Sequence, residues 1–148
     1  MKGSPKTKAA RRPYRTLSHT ADLGLRVRGA DLQELYENAA KALVATMTDR
    51  RRLRHREDKE ITVEASDPEA LLVTWLNHLL YLYDVDGFLG RDFHIVELSP
   101  ERLTAVARGE QFDPGRHPSK TAVKAATYHR LAINRTTDGW RATVILDL

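Results

Sequence analysis

The most restrictive pattern in the chain lies near its end. "VKAATYHRLAIN" (123–134) and "WRATVILDL" (140–148) are two runs with strand-like alternation, separated by Thr137-Asp138-Gly139. Asp-Gly between such runs is a strong hairpin marker, because glycine accepts the positive φ of a tight turn whose twist matches the flanking strands. The spacing therefore predicts a C-terminal β-hairpin. An isolated hairpin is marginal in water, so the rest of the chain must extend the sheet and cover one of its faces.

The preceding residues supply those elements. Leu23, Leu25 and Val27 alternate with Gly24, Arg26 and Arg28, the pattern of a strand with one wet face. Asp31 is a good N-cap with Glu34 three residues on, and Leu32, Leu35, Tyr36, Ala39, Ala40, Leu43 and Met47 recur at helical spacing, which predicts an amphipathic helix over 32–47. A charged connector from Arg50 to Glu60 leads to a short strand, Ile61–Ala65. Asp67-Pro68 opens a second helix with Leu72, Trp75, Leu76, Leu79 and Tyr83 on its stripe, ending before Gly87. Leu71, Leu80 and Leu82 lie off that stripe, so this helix is expected to be covered on more than one side. Strands are predicted at Phe93–Leu98 and Leu103–Arg108, with a polar loop from Gly109 to Lys120. This order implies an α+β fold: two amphipathic helices packed on a mixed, largely antiparallel sheet with a C-terminal β-hairpin.

With 148 residues the chain is most simply one domain, expected over 14–148. Residues 1–13 read as a disordered basic tail. Through residue 15 the chain carries Lys2, Lys6, Lys8, Arg11, Arg12 and Arg15 with no acid; removing these six turns the formal net charge of +4 into −2. The tail is either a solubilising extension or a weak RNA contact. A second basic run, Arg50 to Arg56, lies inside the domain and is either solvated or turned toward a phosphate backbone. Neither run has the interleaved aromatics of a single-strand binder. There are no cysteines, which excludes disulfides and thiolate metal sites. No apolar run approaches the ~20 residues of a membrane helix, and no signal pattern is visible, so a cytoplasmic protein without membrane contact is expected.

Few catalytic classes survive inspection. There is no Gly-rich phosphate loop and no nucleophile elbow. None of the six histidines pair at i,i+4 on a helix, as a zincin site requires. "DVDGF" (84–88) begins like a calcium loop but lacks its later ligands. The carboxylates are the better lead. Asp22 stands at a strand entrance, Asp49 at the exit of the first helix, and Asp147 inside the apolar end "VILDL", with main-chain oxygens of Leu148 one residue away. If the last strand runs beside the first, these oxygens converge, and hard oxygen ligands suit calcium or magnesium. Alternatively, Asp22 caps a local turn and Asp147 frays into water; spacing leaves both readings open.

Five separated stretches, in order, resemble the archease family: "SHTADLGLRVRG" with "DLQELYENAAKALVATMTD", "LLVTWLNHLLYLYDVDGFL", "GEQFD" with His117, "VKAATYHRLAI", and "DGWRATVILDL". The resemblance runs from about residue 14 to 148. It implies a non-catalytic accessory protein that promotes guanylylation and multiple turnover of the RtcB-type GTP-dependent RNA ligase in tRNA splicing. That ligase is the implied partner, with tRNA met only indirectly. The resemblance also implies a cation-binding cluster, carried onto Asp22 of "HTAD", Asp49 of "MTD", and Asp147 and Leu148 of the terminal "LDL". The ion is a divalent cation, calcium first, with magnesium or manganese as alternatives. His19 is expected to fix the local turn. Two readings from other classes stand beside this one: a stand-alone magnesium-dependent hydrolase using the three aspartates, and a general chaperone-like modulator of nucleic-acid-processing enzymes without a metal role.

Overall fold

The computed structural model describes residues 13–18 and 22–148. The expected tail, apart from Pro13, and His19 lie outside the described residues. In chain order the elements are β1 (Tyr14–Ser18), β2 (Asp22–Gly29), α1 (Leu32–Met47), a single 3₁₀ turn (Arg50–Arg52), β3 (Glu57–Glu64), α2 (Pro68–Asp86), β4 (Phe88–Ser99), β5 (Arg102–Gln111), β6 (Ala125–Thr136) and β7 (Gly139–Asp147). The strands form two sheets, a four-stranded one of order β1-β2-β7-β6 and a three-stranded one of order β3-β5-β4. Every strand pairing is antiparallel. The α+β class, both helices and the terminal hairpin follow the sequence expectation. The division into two sheets is new, because alternation shows which face of a strand is apolar but not which strand lies beside it.

Both helices begin where their caps put them. Asp31 accepts from the Glu34 N–H at 2.8 Å, while the Glu34 carboxylate takes the Ala30 N–H at 2.7 Å. Asp67 accepts from the Ala70 N–H at 2.8 Å, and Pro68 fills the first helical turn. These bonds satisfy N–H groups that a helix start leaves without partners. α2 stops at Gly87, whose φ of 71° is left-handed and strained for a side chain. The hairpin closes through Thr137-Asp138, with Thr136 opposite Gly139. Gly139 has φ 156°, and a Cβ there would lie 2.3 Å from the Gly29 carbonyl oxygen, so β7 can start beside β2 only with glycine.

The two helices tie the sheets together. α1 packs against both β2 and β4, and α2 packs against β6 and all three strands of the smaller sheet. Leu25, Val27, Val144 and Leu146 face the helices from one sheet; Ile61, Ile95, Leu103 and Ala105 do so from the other. Trp75 is fully buried at the centre. Its indole N–H donates to the Tyr36 carbonyl at 2.9 Å, and its ring meets Phe93 edge-on at 6.0 Å. Leu71 and Leu80, off the main stripe of α2, are also buried, as a helix covered on two sides requires.

Three strands run beyond their expected limits, and β1 was not expected. β3 starts at Glu57, β4 at Phe88, and β5 continues through Gln111, so Gly109–Gln111 belongs to a strand and not to the polar loop. Glu57 to Glu60 are charged throughout, which hides any apolar alternation, yet the ladder from Glu57 opposite Gly109 is unbroken. Arg108 approaches Asp58 at 3.8 Å, and Lys59 approaches Glu57 at 3.5 Å. β1 has only five residues, too few to show a period.

Because the fully buried Trp75 of α2 meets both α1 and β4, Trp75→Ala is expected to lower unfolding free energy by about 3–5 kcal/mol. A urea titration checks this, and a midpoint shift matching a surface substitution would contradict the packing role.

Candidate functional site

The β2–β7 ladder is continuous from Asp22 opposite Asp147 to Gly29 opposite Trp140. Residues directly opposite in an antiparallel pair project to the same face, so the two carboxylates of the first rung stand side by side. Like charges in this position repel. Asp147 is exposed, whereas Asp22 is half-buried, and its Oδ1 is sealed from solvent with no hydrogen-bond partner among the described residues. A buried carboxylate oxygen without a donor costs free energy unless a cation or proton meets it. The donor set, hard oxygens alone, fits a divalent cation of the calcium or magnesium kind.

Leu148 follows directly and is half-buried at the same end. Asp49 reaches this end too, because α1 returns along β2. The Lys120 N–H donates to the Met47 carbonyl at 3.0 Å, and the Lys124 N–H donates to the Asp147 carbonyl at 2.8 Å. Four residues extend at most about 14 Å, so the last turn of α1 and the end of β7 are neighbours. The Asp49 carboxylate, however, is turned into its own 3₁₀ turn, accepting from the Arg51 N–H at 3.2 Å and Nε at 3.4 Å. Desolvation pushes its pKa up, but the bonds and charge of Arg51 outweigh this and hold it below the usual carboxylate range. Among the described residues no three His, Asp or Glu side chains gather in a geometry that holds a metal. The structure thus unites Asp22 with Asp147 and leaves Asp49 engaged nearby.

A second cluster, whose role sequence reasoning missed, braces this end. Glu110 at the tip of β5 and His117 in the following loop are both buried, with 5% and 0% of their side chains exposed. The His117 Nδ1 accepts from the Asp113 N–H at 2.8 Å, which leaves the proton on Nε2 to be donated to the Glu110 Oε2 at 3.0 Å. Glu110 also accepts from the Arg54 N–H at 2.7 Å and from Arg116 at 2.5 Å. Burial pushes the Glu110 pKa up, but these donors outweigh it and draw it down to about 2. From this anchor the loop crosses the end of α1, where the Thr48 hydroxyl donates to the Pro118 carbonyl at 2.7 Å, before reaching Asp147. The only sequence signal was "GEQFD" followed by a histidine, too short to show that the two side chains meet.

His78 is half-buried and stacks near Tyr81 at 5.8 Å, burial holding its pKa below the usual imidazole value. Tyr128 and His129 both face solvent, where β6 slips register between Thr127 and Ala132. Within the basic run, Arg50 is anchored, donating to the Arg91 carbonyl at 2.5 Å.

Residues 14–148 match the model of the Archease protein family. The chain is 39% identical over 139 residues to protein archease of Methanosarcina acetivorans, covering 91% of this chain and 95% of that protein. It is likewise 39% identical to protein archease of Methanopyrus kandleri, covering 92% and 99%. The solution structure of Methanobacterium thermoautotrophicum protein 1598 superposes with a TM-score of 0.76 at 32% identity, covering 92% of this chain and 99% of that one. A Thermotoga maritima crystal structure, described as an archease and possible chaperone, shares the fold with a TM-score of 0.62 at 22% identity, covering 89% and 94%.

Two outcomes are expected from this geometry. Glu110 is ionised in the folded chain down to about pH 2 but protonates near 4.5 when unfolded, so its stabilisation is complete above that range and fades as pH falls through it. Glu110→Gln should therefore be less stable than the parent by about 2–3 kcal/mol at neutral pH, with the gap closing between pH 4.5 and 2; a gap independent of pH would refute the assignment. In chelator, Asp147→Asn should match or exceed the parent by about 0.2–1 kcal/mol, since it relieves like-charge repulsion. Millimolar calcium should raise the melting temperature of the parent alone.

Proposed function

The chain belongs to the archease family, and from that premise we propose that it is a non-catalytic activator of the RtcB-type GTP-dependent RNA ligase in tRNA splicing, acting through a divalent cation held by Asp22 and Asp147. The observation that supports this reading is the buried, partnerless Oδ1 of Asp22 beside the Asp147 carboxylate. An arrangement that repels itself in isolation is suited to a bound positive charge. Leu148 adds main-chain oxygen at the same end, while Asp49 stays bound to Arg51 in its own 3₁₀ turn. Calcium is the first choice of ion, with magnesium or manganese next. Bound there, the cation would supply a Lewis-acidic, charge-neutralising point at the end of the sheet.

The chain's own residues do the positioning. The β2–β7 ladder fixes the separation of the two carboxylates. The loop anchored by Glu110 and His117 packs the connection between α1 and β6 against that end. In this proposal the end of the sheet, positioned by the β2–β7 ladder and the anchored loop, docks on the ligase and promotes its guanylylation and repeated turnover. In this role the ligase meets tRNA directly, and the basic tail of this chain adds a weak contact. A stand-alone hydrolase would need a third carboxylate free to join the pair, and Asp49 is committed elsewhere. Among the described residues no helix is long and apolar enough to cross a membrane. The proposed role is one played beside the ligase in the cytoplasm.

The test is multiple-turnover ligation by the partner ligase with RNA in excess. Asp147→Ala should keep the fold, judged by its melting curve, and abolish stimulation. Full stimulation by this variant would overturn the proposal, and ligation or hydrolysis by the purified protein alone would favour the enzymatic alternative.

A further inference from the structure

The face that carries Asp22 and Asp147 continues along the four-stranded sheet and changes sign. Register alternation puts Gly24 and Ile145 on the second rung, Arg26 and Thr143 on the third, and Arg28 and Arg141 on the fourth. β1 adds Arg15, directly opposite Arg26. Two arginine pairs thus face each other across strands, Arg15 with Arg26 and Arg28 with Arg141. Like charges in such positions destabilise a sheet. Arg15, Arg28 and Arg141 are exposed. Arg26 is half-buried, and its Nε is sealed from solvent with no hydrogen-bond partner among the described residues. None of Arg15, Arg26 and Arg141 has a carboxylate within ion-pair distance among the described residues. Their neighbours on β6, Ala132 and Asn134, carry no acid. Two acids, Glu34 and Asp138, share a depression of about 460 Å³ with Arg28, and Glu34 is occupied in capping α1.

We propose that this arginine face binds the sugar–phosphate backbone of a single-stranded nucleic acid, with RNA as the strand it meets. Guanidinium groups are the preferred ligands of phosphate, giving paired hydrogen bonds as well as charge. Successive rungs on one face are about 6.8 Å apart, which matches the repeat of phosphates along an extended strand in scale, and a flat sheet face admits such a strand. An extended acidic peptide offers carboxylates at a similar repeat, and poly-glutamate is the competitor that separates the two. The Pro13 carbonyl accepts from the Arg28 N–H beside this face; in sequence, Lys2, Lys6, Lys8, Arg11 and Arg12 precede it. The carboxylate pair lies about 20 Å from Arg28 along β2, so a strand held by the arginines runs toward the acidic end and stops short of it. This inference does not depend on the ligase reading, since it concerns a different stretch of the face and a different ligand.

Fluorescence anisotropy with a fluorescein-labelled single-stranded RNA, in chelator and at several potassium chloride concentrations, tests it. The full-length protein should bind with a salt-dependent affinity. Arg15→Gln/Arg26→Gln/Arg141→Gln should bind at least tenfold more weakly. The same variant should flatten the log–log salt slope by about 2, since each phosphate neutralised on a single strand accounts for roughly 0.7 of that slope. Its melting temperature should equal or exceed that of the parent, because the like-charge pairs are gone. Should the triple variant unfold, Arg15→Gln and Arg141→Gln alone, both at exposed positions, should each cost severalfold in affinity. A full-length variant with the five tail cations replaced by glutamine should lose less than the sheet variant. The proposal is overturned if the parent does not bind RNA, if the sheet variants bind like the parent, or if poly-glutamate binds the parent as tightly as RNA through the same arginines.

Discussion

Everything at the working end of this molecule depends on β2 and β7 being hydrogen-bonded neighbours in one uninterrupted register. Antiparallel pairing with period-two alternation leaves no freedom: once Val144 and Leu146 are buried against α1 beside Leu25 and Leu23, Asp147 must project to the other face, opposite Asp22. A slip of one residue would send the apolar set into water and the acids into the core. The burial of the leucines and valines therefore sets the position of the carboxylates. The hydrophobic effect does the aligning, and the site inherits its precision from the core.

Much of this was legible in the chain. The caps at Asp31 and Asp67, the stripe around Trp75, and the hairpin at Asp138-Gly139 are local signals, carried by residues a few positions apart, and each appears where the pattern puts it. The acids Asp22 and Asp147 were legible as candidates only because a carboxylate inside "VILDL" is out of place. Their meeting was conditional on the first long strand lying beside the last. What could not be read was long-range. The partition of strands between two sheets and the pairing of Glu110 with His117 in the interior depend on which segments pack together, and a one-dimensional pattern does not encode that. β3 was under-read for a different reason: its first residues are charged on both faces, so pairing is sustained by backbone bonds and ion pairs that leave no apolar period.

The outer face of the larger sheet is unusual in being polarised along its strands, acid at one end and arginine at the other, with Gly24 and a buried Ile145 between. Neither end neutralises the other, because the charges that would cancel are separated by rungs of the ladder and not placed opposite one another. Both ends consequently carry repulsion that the fold tolerates. Natural proteins accept local destabilisation chiefly where a ligand relieves it. The proposed cation and the proposed RNA strand would act on the two ends separately, which lets occupancy of one be altered by substitution without dismantling the other.

The partners in the first rung, Asp22 and Asp147, are separated by nearly the whole chain, and β7 is an interior strand with neighbours on both edges. Closing so long a loop is entropically slow compared with forming the helices. During synthesis the smaller sheet and both helices can assemble first, while β1 and β2 wait with a vacant edge for a strand not yet made. A chain without β7 is thus without the paired acids altogether, and competence arrives in one event, when β7 slots between β2 and β6.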